Sequence, residues 1–369
     1  MEDLGTFDVA VIGGGLVGTA TALGMADLGA SVAILDAGDI NFRASRGNFG
    51  LVWAQSKGAN SRDYATWTRS AVTAWPWLQD ELRALTGVET DLQSGMGLHL
   101  CLSEEEYHAR AKIIEGVAGH NIAGDDTRMI DRQQVAEIMP QIGPKVYGAS
   151  ISSLDGACQS LSLYRGLSEG AQAKGAKLFP NTPVTAIHPL DDGYEVIAGV
   201  RRLRATKILL ATGVANNELA APFGFPPMVR PQRGQILVTE RAKPMLPCVT
   251  SWLRQTSEGT ILIGDTKEEV GLDDRSTAPS MMQLARRATD ALPEIGKLRI
   301  VRSWGALRVL SFDGLPVYDE SPTHSGVFVA TTHSAVTLAP AHRGPLAQWI
   351  LNGQKPPEFA SFGAQRFNK

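Results

Sequence analysis

Gly13-Gly14-Gly15-Leu16-Val17-Gly18 carries the densest chemical signal in the chain. Three glycines at this spacing each have a mechanical task. Gly13 permits a tight turn, Gly15 lets backbone approach a pyrophosphate, and Gly18 lets a helix pack close to a sheet. Asp36 follows at the end of the next apolar run. A carboxylate there accepts hydrogen bonds from a ribose diol. The start of a helix adds free N–H groups and the positive end of its dipole for the phosphates. This combination describes a dinucleotide site, with Leu16, Val17 and Ala37 flanking the contacts.

The loop Asn41–Trp53 comes next, polar and punctuated by glycine before it turns apolar. A ligand long enough to pass the second strand needs such a loop along its pyrophosphate and ring. That favours FAD over NAD. A third glycine-bearing segment, Ala211-Thr212-Gly213, ends the apolar run Lys207–Leu210, where backbone can pass tightly beneath a cofactor. Neither a Ser/His/Asp nor a Cys/His arrangement suggests a nucleophile.

These groups need elements to hold them. Asp8–Ile12 and Ser31–Leu35 read as buried parallel strands, joined by a helix over Thr19–Leu28 that Gly29 closes. Residues 60–85 carry Tyr64, Trp67, Ala71, Trp75 and Leu78 on one face, which predicts one amphipathic helix. Gly95–Leu102 is a strand. Ser103 starts a helix with Glu106 at the capping-box position, Asp131 and Gln134 repeat that signal, and Pro140 stops the second helix. Ser160–Lys174 reads as a helix and Ala176–Asp192 as a strand containing Thr182–Thr185. Residues 223–302 read as a second unit, with strands Arg233–Val238 and Gly259–Gly264 and a helix Met281–Ala291. Val327–Ser334 is a strand, and a helix over Ala335–Leu351 follows.

The bulk properties set limits. The chain has 369 residues, 43% hydrophobic and 20% charged, with a net charge of −3. It therefore forms a folded core and has no electrostatic reason to bind nucleic acid or an anionic membrane. No run approaches the roughly 20 apolar residues of a membrane helix. Cys101, Cys158 and Cys248 are far apart and form no C-x-x-C, so no metal site is expected. The acidic start runs straight into a strand. The expectation is a cytoplasmic protein with reduced thiols.

In this order the segments resemble the D-amino-acid oxidase superfamily of FAD enzymes, which contains glycine oxidase, sarcosine oxidase and D-amino-acid dehydrogenases. The resemblance runs through nearly the whole chain. It is carried by the glycine turn, Ser45–Val52, Thr182–Thr185, Ala211-Thr212-Gly213, Leu307-Arg308 with Asp313-Gly314-Leu315-Pro316, and His333–Pro340. Gly47–Trp53 and Arg230–Gln235 look most like the FAD-carrying β subunits of bacterial opine and hydroxyproline dehydrogenases.

The resemblance implies an α/β fold. A Rossmann-like FAD-binding domain is built from residues 1–88, 146–222 and 303–369. A substrate domain with an antiparallel β-sheet takes 89–145 and 223–302. It places Ser45, Arg46, Gly47, Asn48, Gly50, Leu51, Val184, Gly305 and the amides of Val336, Thr337 and Leu338 beside the flavin. It makes Arg308 the substrate's carboxylate anchor, Trp252 a pocket wall, Arg254 the partner of a second carboxylate and His333 a flavin or substrate neighbour. On residue type alone each has a plainer reading: an ion-pair arginine, a packed tryptophan, a surface arginine and a structural histidine.

Ala306 stands where sarcosine oxidases have the cysteine that carries their flavin, which implies noncovalent FAD. Leu262 stands near the place of their oxygen-activating lysine. The implied reaction is hydride transfer from a C–N bond beside a carboxylate, needing no protein base if the amine binds neutral. The implied context is the catalytic subunit of a multi-subunit dehydrogenase, with partners carrying iron–sulfur or additional flavin. The alternatives are a self-sufficient oxidase producing hydrogen peroxide and a non-catalytic FAD relay subunit.

Overall fold

The computed structural model describes residues 1–38 and 44–368. Asn41, Phe42 and Arg43 of the polar loop lie outside the described residues. The fold is mixed α/β. Its largest sheet runs Val317–Glu320, Val327–Thr331, Arg201–Leu210, Glu2–Ile12, Val32–Leu35, Lys177–Phe179. The last five of these strands are parallel. Ile12 pairs with both Leu35 and Leu210, and Leu210 pairs with Val329. The C-terminal ends of four strands therefore finish at one edge, the place where open α/β sheets bind ligands.

Alternation along the first strand explains the layers. Val9 and Val11 face the helix Leu16–Asp27 and a core that includes Trp67, Trp75 and Tyr318. Ala10 and Ile12 face Val196, Leu203, Phe223 and Phe225. The second unit has an antiparallel sheet ordered Leu253–Gln255, Thr260–Ile263, Val229–Arg241, Ile300–Ser311. A smaller sheet pairs Gly97–Cys101 with Gly148–Ser152 and Val249–Thr250. Strand pairing joins Gly148–Ser152 and residues 303–311 to sheets of the second unit, although the segment boundaries place them in the first.

Three elements differ from their sequence reading. Residues 60–85 form two helices, Arg62–Thr73 and Trp75–Thr86, with Pro76 in the first turn of the second. Proline fits there because that position needs no N–H. Thr182–Thr185 joins two strands rather than lying inside one. The closing helix begins only at Ala339 and widens to a π-turn at His342–Leu346, where Pro345 removes a ladder donor. The two start signals hold, with one change. Asp131 and Gln134 form a reciprocal capping box. Ser103 caps its helix, but the Glu106 carboxylate accepts from Leu102 N–H and pairs with Arg287.

No helix among the described residues is long and apolar enough to cross a membrane.

Candidate active site

The glycine turn sits at the shared strand edge. Gly13 has φ +106°, and a Cβ there would collide with the Ala211 carbonyl. A Cβ on Gly18 would strike the Gly13 carbonyl, so the helix can pack this closely only with glycine. The helix starts at Gly15 with no side-chain cap. Gly13, Gly15 and Val17 are part-exposed while Gly14, Leu16 and Gly18 are buried. Asp36 braces the turn: its carboxylate accepts from Gly14 N–H at 2.8 Å and Gly38 N–H at 2.9 Å. Ala37 is exposed beside it. Ser45 Oγ accepts from Leu16 N–H at 3.0 Å, which draws the polar loop over the helix start. Thr212 is pinned through Asn216 Oδ1, and Gly213 has φ +65°. Val184 packs at the edge of the neighbouring core.

The next layer ties the loop to the C-terminal segment. Arg46 lies over Tyr164, and Gly47 O accepts from Trp304 Nε1 at 3.1 Å. Asn48 Oδ1 accepts from Gly50 N–H, and a Cβ on Gly50 would collide with the Cys158 carbonyl. Thr337 Oγ1 donates to Leu51 O and accepts from Trp53 N–H, both at 3.1 Å. Val336 and Leu338 bury their side chains in the core.

Beyond this cradle lies a cluster of charges. Arg308 pairs with Asp265 at 2.6 Å and donates to Gln232 Oε1 at 3.3 Å. Its side chain is 17% exposed. Lys57 Nζ lies 3.3 Å from His333 Nδ1. His333 is open to water yet set deep among protein atoms. Burial, then the Lys57, Arg308 and Lys267 cations, holds its pKa well below the usual value, so the ring is neutral. Burial, then Lys267 and Arg308, lowers Lys57 to about 8. Asp155 faces Lys57 from behind. Its Oδ1 accepts from Ala54 N–H at 2.5 Å, its Oδ2 has no partner, and burial raises its pKa to about 7. Gln55, Arg110 and Ser150 form a buried hydrogen-bonded group next to it. Arg233 pins the segment carrying Asp265 and Lys267 through Glu268 and Asp273.

The structure brings Arg308 and His333 into one cluster of charges and packs Trp252 and Arg254 inside the protein. Trp252 is 4% exposed, donates to Leu100 O and lies under Arg287. It packs in the core of the second unit and is not a cavity wall. Arg254 is 1% exposed, neither at the surface nor open to a substrate. It reaches Gln159 and the Phe49 ring, while its Nε and Nη1 lack partners. Gly305 is required by the Asp274 and Arg275 carbonyls, which a Cβ would strike. Lys57, Asp155, Asp265 and Lys267 escape the sequence reading, and Gln232 enters it only as part of Arg230–Gln235. A cavity of about 440 Å³ lined by Gln93, Met96, Cys248 and Gln255 contains none of these groups. Among the described residues no His, Cys, Asp and Glu cluster could hold a metal.

A nucleotide cradle at the strand edge with a cluster of charged side chains beside it fits a nucleotide-dependent oxidoreductase, in which the cofactor carries electrons and the chain holds the substrate. The chain belongs to the DAO family of FAD dependent oxidoreductases, which it matches over residues 8–346. It is 36% identical over 362 residues to a subunit of the opine oxidase of Agrobacterium tumefaciens (strain Ach5), covering 98% of each chain. It is 27% identical to glycine oxidase of Geobacillus kaustophilus (strain HTA426), covering 98% of this chain and 97% of that one. The crystal structure of glycine oxidase from Geobacillus kaustophilus matches with a TM-score of 0.90 and 26% identity, over 99% of this chain and 100% of that one.

Proposed function

We propose that this chain oxidises the C–N bond of an amino acid or N-substituted amino acid of the opine or hydroxyproline type. In this reading it acts in the cytoplasm as the catalytic subunit of a multi-subunit dehydrogenase. The observation carrying the substrate class is the charge cluster beside the cradle, where Arg308, Lys57 and Lys267 act on a neutral His333. Three cations against Asp265 and Asp155 favour an anionic substrate.

The N–H groups at the helix start and the close backbone at Gly15 would hold the pyrophosphate of FAD, with Gly13 and Gly18 shaping the turn, and Asp36 would hold its ribose. The Ser45–Leu51 loop, Ala211–Gly213 and the backbone of Val336–Leu338 would lie along its length. Bound there, FAD supplies a two-electron acceptor. Arg308 grips the substrate carboxylate with its planar fork and so fixes the α-carbon. His333 stays neutral and adds no charge beside the reacting bond.

Partner subunits carrying iron–sulfur or a further flavin take the electrons onward. Two observations support this. The relatives at 36% and 35% identity are each named as one subunit of an opine oxidase. A buried leucine, Leu262, stands near the place where the resembling oxidases use a lysine. The experiment is to purify the chain with whatever accompanies it and add opines and amino acids without oxygen. Flavin bleaching is expected, with slow reoxidation by oxygen in the isolated chain. Peroxide formed at the turnover rate would make it a self-sufficient oxidase. No bleaching by any substrate would make it a relay subunit.

A further inference from the structure

We propose that Lys57 is the proton acceptor for the substrate's amine. This rests on the reading of the chain as an amine-oxidising enzyme. Lys57 lies in the turn after the flavin-side loop, with Nζ 3.3 Å from His333 Nδ1. The charged groups around it come from four places. His333 follows the strand Val327–Thr331, and Arg308 lies on Ile300–Ser311. Lys267 and Asp265 follow Thr260–Ile263, and Asp155 lies between Gly148–Ser152 and Gly156–Ala157. An ammonium has only donors, so a charged Lys57 donates to the neutral His333 ring.

The chemistry needs such a group. An amino acid's amine is mainly protonated at neutral pH, and an ammonium has no lone pair with which to form C=N. One proton must therefore leave nitrogen before the α-hydrogen departs as hydride. The substrate N–H bond breaks and its electron pair stays on the substrate nitrogen. A new N–H bond forms on Nζ of Lys57. The freed pair forms the C=N bond when the hydride later leaves the α-carbon for FAD. Lys57, now an ammonium, faces the Asp155 and Asp265 carboxylates and returns its proton to water.

The other groups are poorly suited. Arg308 stays charged throughout, as arginine does in proteins. His333 is crowded by three cations, which oppose any proton on its ring. Asp155 is fully buried behind Ala54 and Gln55. Lys57 combines a part-exposed position 3.3 Å from the water-open His333 with a proton affinity near neutrality, lowered to about 8 by burial and by Lys267 and Arg308.

Two measurements test this. The first labels the purified chain with a small anhydride across pH and reads Lys57 by mass spectrometry. Half-maximal reaction is expected near pH 8, against about 10.4 for an ordinary lysine, and an ordinary value would overturn the proposal. The second follows anaerobic bleaching of the FAD-loaded chain, with its partners, by an N-carboxyalkyl amino acid. The wild-type rate should rise with pH to a plateau. Lys57→Met should slow it about 10²–10³-fold at pH 7.5 and remove that inflection. Lys57→Arg, which keeps the charge, should be slowed as much. A carboxylate lacking the amine should still perturb the flavin spectrum of Lys57→Met, showing an intact pocket. If wild type bleaches and Lys57→Met keeps both rate and inflection, the proton goes elsewhere while the oxidation reading stands. If no amine bleaches the wild-type flavin, the oxidation reading fails and takes the proposal with it.

Discussion

Removing Arg308 tests how the cavity holds its substrate. The guanidinium already spans Asp265 and Gln232, and its side chain is 17% exposed against 38% for Asp265. A substrate carboxylate must share this fork with Asp265. Leaving a buried ion pair half made costs about 3–5 kcal/mol. Water reaches Asp265 and the cavity, so the lower end applies here, about 3 kcal/mol. That is about a hundredfold in kcat/KM for Arg308→Ala. Arg308→Lys keeps the charge but presents a point rather than a fork, so it should remain at least about tenfold impaired. The assay is dye-coupled or anaerobic turnover, with FAD released and measured spectrophotometrically for each variant. FAD content should be normal in both, because the Arg308 contacts are to Asp265 and Gln232 rather than the glycine turn. Wild-type kcat/KM in Arg308→Ala, or a loss of flavin with kcat/KM per bound flavin unchanged, would refute this binding mode.

Three further outcomes are expected. Asp36→Ala should weaken FAD binding by about 1–3 kcal/mol, read as flavin retained after dilution, and should lower Tm because Gly14 and Gly38 lose their acceptor; unchanged retention would assign Asp36 to the turn alone. Acid precipitation should leave the yellow colour in the supernatant, since Ala306 offers no thiol for a covalent link; coloured protein would contradict noncovalent binding. Asp155→Asn should stabilise the fold above about pH 4, in denaturant melts across pH. Burial raises the folded carboxyl to about 7, so the folded state binds the extra proton between about 4 and 7, and wild-type stability falls as pH rises through that window. The asparagine removes that fall, with a gain levelling off above pH 7 at no more than about 4 kcal/mol. It also removes an acid that supports the Lys57 ammonium, so the Lys57 labelling midpoint should drop below 8.

The parts legible in the sequence are those whose cause is local. The glycine turn depends on contacts over a few residues and on φ at Gly13. The Asp131–Gln134 box closes within one helical turn. Arg308 and His333 are visible only through family resemblance, and they lie in one cluster of charges. Lys57 and Asp155 are invisible because nothing near them in sequence explains them: Lys57 meets a residue 276 positions away. Trp252 and Arg254 mislead for the opposite reason. Their types suit a pocket, but packing of the second unit's sheets puts both inside. The break at Trp75 and the widened turn at Pro345 both come from proline, whose effect depends on its position within a helix.

The convergence of strand ends also bears on how the chain is made. The edge joins residues following Ile12, Leu35, Leu210 and Thr331, and Trp53 N–H waits for a hydroxyl 284 positions later. Contacts this distant in sequence close slowly, because loop entropy must be overcome before they form. During synthesis the glycine turn emerges well before the wall bearing His333 and Thr337. An incomplete chain presents half a cradle. Cofactor binding therefore adds its energy only to molecules in which both walls of the cradle have formed.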